Sequence, residues 1–203
     1  MAILKQYAAV LGGSMRSEVV QFLCDEHRNM ERVLLLIRFQ IDMLRGVHDL
    51  QGFALLTNAI GYMHNYPGIM HHPCEEIMLA KLPALLSSAT AICGQVAEQH
   101  KLFGSQESTM LLQIREAQAG NTGACGRLKE IGTSYCTVQA DHMNTEELEV
   151  FPNALKLLPE EDWQEVMAIS RAVIDPIFGL GALRRYESLY DYLMTAKVEF
   201  NVH

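Results

Sequence analysis

No apolar run in this chain reaches the roughly 18–20 residues needed to cross a bilayer, which excludes a membrane-spanning helix. No run of lysine or arginine offsets the formal charge of −8, from 16 basic against 24 acidic side chains. A net negative chain repels phosphate backbones, so nucleic acid is not an expected partner. No C-x-x-C pair occurs among Cys24, Cys74, Cys93, Cys125 and Cys136. That odd, scattered set fits a reducing compartment better than a disulfide framework, and the expected location is the cytoplasm. No G-x-S-x-G, P-loop or dinucleotide fingerprint is present, so those enzyme classes have no support. Met1–Ser14 carries one lysine and a short apolar patch at Ala8–Leu11, too little for a secretory signal; Met15 is an alternative start.

What the sequence has is helical periodicity. At 203 residues, 49% hydrophobic and 20% charged, it can bury a sizeable core, as one domain with an added tail. Val19, Val20, Leu23, Met30, Val33, Leu34, Ile37, Ile41 and Leu44 form an apolar stripe, predicting a first helix over about 16–46 that ends near Gly46. A second helix is expected over 52–82, with a break at 66–73: Tyr66-Pro67-Gly68 interrupts the pattern, and Pro73 either sits in a new first turn or kinks a continuous rod. Pro83 then reads as a stop and Ser87-Ser88 as an N-cap. A third helix is expected over 88–118, ending at Gly120-Asn121, and a fourth over 122–150, stopping before Pro152. Acidic residues after Pro159 suggest a short helix, ending before Pro176, and a last piece covers about 180–198. The expected fold is all-α: an up-down-up-down four-helix bundle over 15–158, with two short helices in a C-terminal extension over 159–203. That extension is expected to pack on the bundle or to form a homodimer contact.

Chemistry enters through the histidines. Each of the eight, taken alone, reads as a structural or solvated imidazole. Two segments, His71-His72-Pro73-Cys74-Glu75-Glu76 and His142-Met143-Asn144-Thr145-Glu146-Glu147, share the pattern H-x-x-x-E-E. Four residues is just over one helical turn, so each His and Glu point to one face and can meet a common cation. His27 lies 44 residues before His71, and His100 lies 42 before His142. The chain therefore reads H…HxxxE…H…HxxxE, and the midpoints of these intervals fall in the Gly46–Gly52 and Gly120-Asn121 turns. The midpoint between Glu75 and His100 falls at Ser87-Ser88. Residues equidistant from a turn sit at one height in an antiparallel bundle. His27, His71, Glu75, His100, His142 and Glu146 should therefore share a level. Four imidazoles and two carboxylates exceed what one tetrahedral zinc needs, and calcium and magnesium prefer all-oxygen shells. A pair of first-row ions fits best, iron first and manganese second, with Glu75 and Glu146 as bridges.

These residues resemble the hemerythrin-like, HHE cation-binding family. The resemblance rests on Glu26-His27, Tyr66-Pro67, His71-His72-Pro73-Cys74-Glu75-Glu76, Glu98-Gln99-His100, His142-x-x-x-Glu146-Glu147 and Phe151-Pro152, and spans about residues 15–155. Asp162-Trp163 and Asp175-Pro176 look like bacterial stand-alone members as well. The resemblance implies two non-haem irons, oxo- or hydroxo- and carboxylate-bridged, one held by His27 and His71 and the other by His100 and His142. It implies a protein that binds or senses dioxygen, nitric oxide or peroxide. The alternatives are a diiron enzyme acting on peroxide or nitric oxide, or a role in iron homeostasis or iron–sulfur repair. Histidine-rich ligation favours binding over turnover. His72 is the favoured fifth histidine. His64 is seven residues before His71, but Pro67-Gly68 should spoil that phase. His48 and His203 are expected in solvent. Cys74 stands where the family has a basic residue, either as a small hydrophobe or as a redox-sensitive thiol.

Several neighbours carry two readings. Glu31 is either a support for His27 or a solvated side chain. Gly104 either leaves an open position near His100 or is a tolerated glycine. Tyr66 and Tyr135 either donate to a bound oxygen ligand or pack with satisfied hydroxyls. Met30, Met63, Met70 and Met143 are expected to fill core gaps.

Overall fold

A computed structural model of the chain describes residues 15–171, 174–179 and 182–195. The secondary structure of these residues is entirely helical. Helix α1 is Met15–Met43, α2 Leu50–Tyr66, α3 His72–Leu85, α4 Thr90–Gln118 and α5 Thr122–Thr145. Three shorter helices follow: α6 Phe151–Leu157, α7 Glu160–Ser170 and α8 Glu187–Thr195. Among the described residues, no helix is long and apolar enough to cross a membrane.

The turns between the long helices have local causes. Gly46 and Gly120 adopt positive φ of 97° and 96°, where a Cβ would strain the backbone, and each reverses the chain. Asp49 then caps α2 by accepting from Gly52 N at 3.0 Å, and Asn121 caps α5 by accepting from Gly123 N at 3.1 Å. Helix α1 packs on α2 and α5, and α4 packs on the same two helices, closing a ring of contacts. Its interior is apolar: Leu23, Val33 and Ile37 from α1 and Phe53, Leu56 and Ile60 from α2 are fully buried. Helix α7 lies across α3 and α1, with Trp163 fully buried.

Proline is handled differently from the sequence expectation. No break occurs at 66–73. The chain stays helical through a π turn, Pro67–His71, in which His72 N–H reaches back five residues to Pro67 O. A second π turn, Glu146–Val150, carries the chain past Pro152 into α6, with Phe151 N–H bonded to Glu146 O. In each case a proline follows one or two residues later, at the start of the next α segment, where its missing N–H costs least. Helix α3 likewise continues past Pro83 to Leu85. Ser87 and Ser88 form a single 3₁₀ turn and no side-chain cap. Of the segment expected over 180–198, α8 covers Glu187–Thr195; residues 180, 181 and 196–198 lie outside the described residues, as do Met1–Ser14 and His203.

Candidate metal centre

Helix α1 supplies His27, the first π turn His71, α3 Glu75, α4 His100, α5 His142 and the second π turn Glu146. Donor atoms of His27, His71 and Glu75 lie within 4.8 Å of one another, as do those of His100, His142 and Glu146. His72, Glu75 and His100 form a third such group. The two carboxylates tie the groups together. Glu75 Oε1 lies 2.8 Å from His71 Nε2 and 3.3 Å from His27 Nε2, while its Oε2 lies 3.5 Å from His100 Nε2. Glu146 mirrors this: Oε1 lies 3.4 Å from His142 Nε2 and 3.5 Å from His100 Nε2, and Oε2 lies 3.5 Å from His27 Nε2. Each glutamate thus turns one oxygen to each side.

The outward ring nitrogens are held from behind. His27 Nδ1 lies 3.0 Å from Glu147 Oε1, His100 Nδ1 2.9 Å from Glu76 Oε1, and His142 Nδ1 3.0 Å from Gln99 Oε1. With Nδ1–H donating to oxygen, Nε2 presents its lone pair to the interior. The glutamate pair in each H-x-x-x-E-E segment therefore divides its labour: the first member points inward, and the second reaches a histidine on another helix. In the sequence Glu76, Glu147 and Gln99 stand only as parts of the resembling motifs, with no role of their own, although the repeated Glu-Glu doublet is a signal for the two acids.

The donors are poorly satisfied by one another. Glu75 Oε2, both oxygens of Glu146 and both ring nitrogens of His71 are buried without a hydrogen bond. The 2.8 Å approach of His71 Nε2 to Glu75 falls outside hydrogen-bonding geometry. His100 Nε2 and His142 Nε2 face each other at 3.1 Å. Leaving such groups unpaired costs on the order of 1–3 kcal/mol each, more for charges. A cation between them removes that cost, so these residues fit metal binding.

The same crowding moves protons. Burial opposes a charged His27, but Glu147, Glu75 and Glu146 outweigh it and raise its pKa to about 10. Burial likewise opposes a charged His100, and Glu146 and Glu75 raise it to about 9. Burial pushes His142 down to about 3. Burial, reinforced by Glu75, pushes Glu146 up to about 7.

The remaining candidates separate cleanly. His72 stacks on His100 with ring centroids 4.0 Å apart and planes 9° from parallel. His64 lies outside the cluster, with Nδ1 3.1 Å from Glu107 Oε2. His48 and Glu31 are exposed. A Cβ placed on Gly104 meets nothing within 4 Å, so there is open space beside the helix there. Tyr66 interacts with Glu26, and Tyr135 donates to Glu107 at 2.6 Å. Cys74 is buried, its thiol pushed up to about 12 by burial and by Glu75, and it donates weakly to Val166 O. It packs as a small hydrophobe. Met30, Met63, Met70 and Met143 are buried.

No protein-family model, curated protein or solved structure matches the chain.

Proposed function

We propose that this chain is a hemerythrin-like protein: an up-down-up-down four-helix bundle holding two non-haem irons and binding or sensing dioxygen, nitric oxide or peroxide in the cytoplasm. The observation that carries this is the placement of Glu75 and Glu146, each with one oxygen toward each histidine group. His27 and His71 would hold one ion, His100 and His142 the other, and both glutamates would span the two. Bound there, ferrous iron would supply electrons to a small oxidant or bind a diatomic ligand.

The chain's own residues set the conditions. Glu147, Glu76 and Gln99 fix the imidazole tautomers through Nδ1. Phe151 stacks on His27 at 5.5 Å and Phe103 meets His142 edge-on at 5.0 Å, walling the cluster with apolar surface and excluding water. His72, stacked on His100 and grouped with Glu75 and His100, would be the fifth histidine ligand, and the space beside Gly104 lies one turn from His100.

The test is anaerobic loading with ferrous iron, elemental analysis, and visible spectra before and after air. Two irons per chain and a new band that deoxygenation reverses are the expected results. A chain that takes up no transition metal refutes the proposal. An irreversible change with release of product would replace a carrier or sensor by an enzyme.

A further inference from the structure

A second buried polar array lies one layer from the metal cluster. Glu107, on α4, sits in the apolar stripe of Phe103, Met110 and Ile114, where a leucine would serve packing better. Its side chain is 4% exposed, yet it is a carboxylate. One oxygen accepts from Tyr135 OH at 2.6 Å, and the other lies 3.1 Å from Nδ1 of His64, whose side chain is 37% exposed. Gln139 Nε2 donates to the same phenol oxygen at 3.3 Å. A continuous hydrogen-bonded line thus runs from the surface to a fully buried tyrosine. On its other side the Tyr135 ring meets Phe103 edge-on at 5.9 Å, and Phe103 meets His142 edge-on at 5.0 Å. The line does not reach the cluster by hydrogen bonds. It reaches it through rings.

We propose that Tyr135 is a one-electron donor to the metal cluster, with Glu107 as its proton acceptor and His64 as the exit to solvent. This rests on the reading of the cluster as an iron site. When peroxide reacts there, it takes up two electrons, and two protons drawn from solvent, to give two waters. One electron comes from the iron pair when it is held with one ion ferrous and one ferric, a state that can give only one. The other comes from Tyr135, through the Phe103 contact. The phenol O–H bond breaks as the electron leaves; its proton passes to Glu107 along the hydrogen bond, and a neutral phenoxyl radical remains. Glu107 is restored by losing that proton through His64. Burial, reinforced by Glu107, holds the Tyr135 phenol well above its ordinary range, so it does not ionise by itself and parts with its proton only on oxidation.

Two other buried tyrosines lack this combination. Tyr62 donates to Asp175 at 2.9 Å, but Asp175 is itself buried and also accepts from the backbone of Ile177 and Phe178. Tyr66 interacts with Glu26, a buried carboxylate whose second oxygen has no partner. Among the described residues, no hydrogen bond carries either pair to an exposed imidazole.

The test is electron paramagnetic resonance on iron-loaded protein poised with one ferrous and one ferric ion, freeze-quenched after addition of hydrogen peroxide. An organic radical is expected, narrowed when the chain carries ring-deuterated tyrosine. The signal should fall at least tenfold in Tyr135→Phe, fall in Glu107→Gln, and persist in Tyr66→Phe. Both substitutions at the array keep side-chain shape, and the isotope readout needs no substitution. A radical that survives Tyr135→Phe, or does not respond to tyrosine deuteration, overturns the proposal. Iron content measured on the same samples separates the two levels. Uptake of iron without a radical overturns this inference alone; absence of uptake overturns it together with the function on which it rests.

Discussion

Glu147 Oε1 lies 3.0 Å from His27 Nδ1, joining residues 120 positions apart in the chain. Glu76 makes the corresponding contact to His100 at 2.9 Å. Each acid is the residue after an inward-pointing glutamate, so one short segment both faces the cluster and steadies a histidine from another helix. Removing such an outer partner weakens metal binding roughly 10–100-fold in comparable sites. Glu147→Ala should do so here, and Glu147→Gln, which keeps an oxygen acceptor, should do less harm. Competition against a coloured chelator measures both. Equal affinity in wild type and Glu147→Ala would show that the contact has no bearing on the metal.

His142→Ala removes one imidazole and unpairs His100 Nε2, which it faces at 3.1 Å. Iron content is expected to drop to about one ion per chain or fewer. His48, exposed and remote, serves as the control: His48→Ala should load like wild type. Full loading of the His142 variant would contradict the assigned ligand set.

Protonation gives a prediction with opposite signs for two forms of the protein. His27 and His100, at about 10 and about 9, both carry protons at pH 7 in the metal-free chain. Metal entry requires their lone pairs, so loading expels a proton from each. Affinity should then climb on the order of a hundredfold per pH unit below pH 9. The metal-free fold behaves the other way. Raised histidine pKa values contribute stability that is fully present below the unfolded value of 6.5 and is lost as pH rises through about 9 and 10. Between pH 7 and 10 the melting temperature should fall without metal. Proton release into weak buffer with an indicator dye, and thermal scans with and without metal, check the two halves. Loading that releases no protons would refute the first.

Trp163 is the single tryptophan and is fully buried where α7 meets α3. Trp163→Ala should cost about 3–5 kcal/mol, read from urea unfolding. In the wild type its fluorescence should be blue-shifted and should move to the red in step with the loss of helical circular dichroism. A red emission maximum in the native protein would contradict its burial.

Much of this was legible before any coordinates. The stripes from Val19 to Ile41 and from Phe53 to Met63 place α1 and α2 within a few residues, because apolar periodicity follows burial directly. That His27, His71, Glu75, His100, His142 and Glu146 share one level was legible from spacing alone, since rise per residue converts separation into height; their division into two groups was implied only by the family resemblance. The prolines divide. Pro67 and Pro152 read in the sequence as interruptions, but a π turn lets the backbone pass them with its hydrogen bonds re-formed five residues back, while Pro73 sits in the first turn of α3, one of the two places its sequence context allows. No residue pattern distinguishes that outcome from a break. Glu107 was missed although its place between Phe103 and Met110 put an acid on an apolar face; a charge there was the available signal. Its partners His64 and Tyr135 come from other helices, and the signal for Tyr135 was present: the midpoint of Glu107 and Tyr135 is residue 121, in the same Gly120-Asn121 turn that sets His100 level with His142.

Each π turn holds one residue more than the α-helix it interrupts. It winds those residues through about the arc that one residue fewer spans in an α-helix. Deleting a single codon within 68–70 or 148–150 would therefore restore ordinary winding and leave the flanking helices close to their present register, whereas the same deletion in an α-helical stretch such as 76–82 would turn everything beyond it by about 100°. Lineages of this protein should accordingly lose single residues at these two stretches more readily than elsewhere in the long helices.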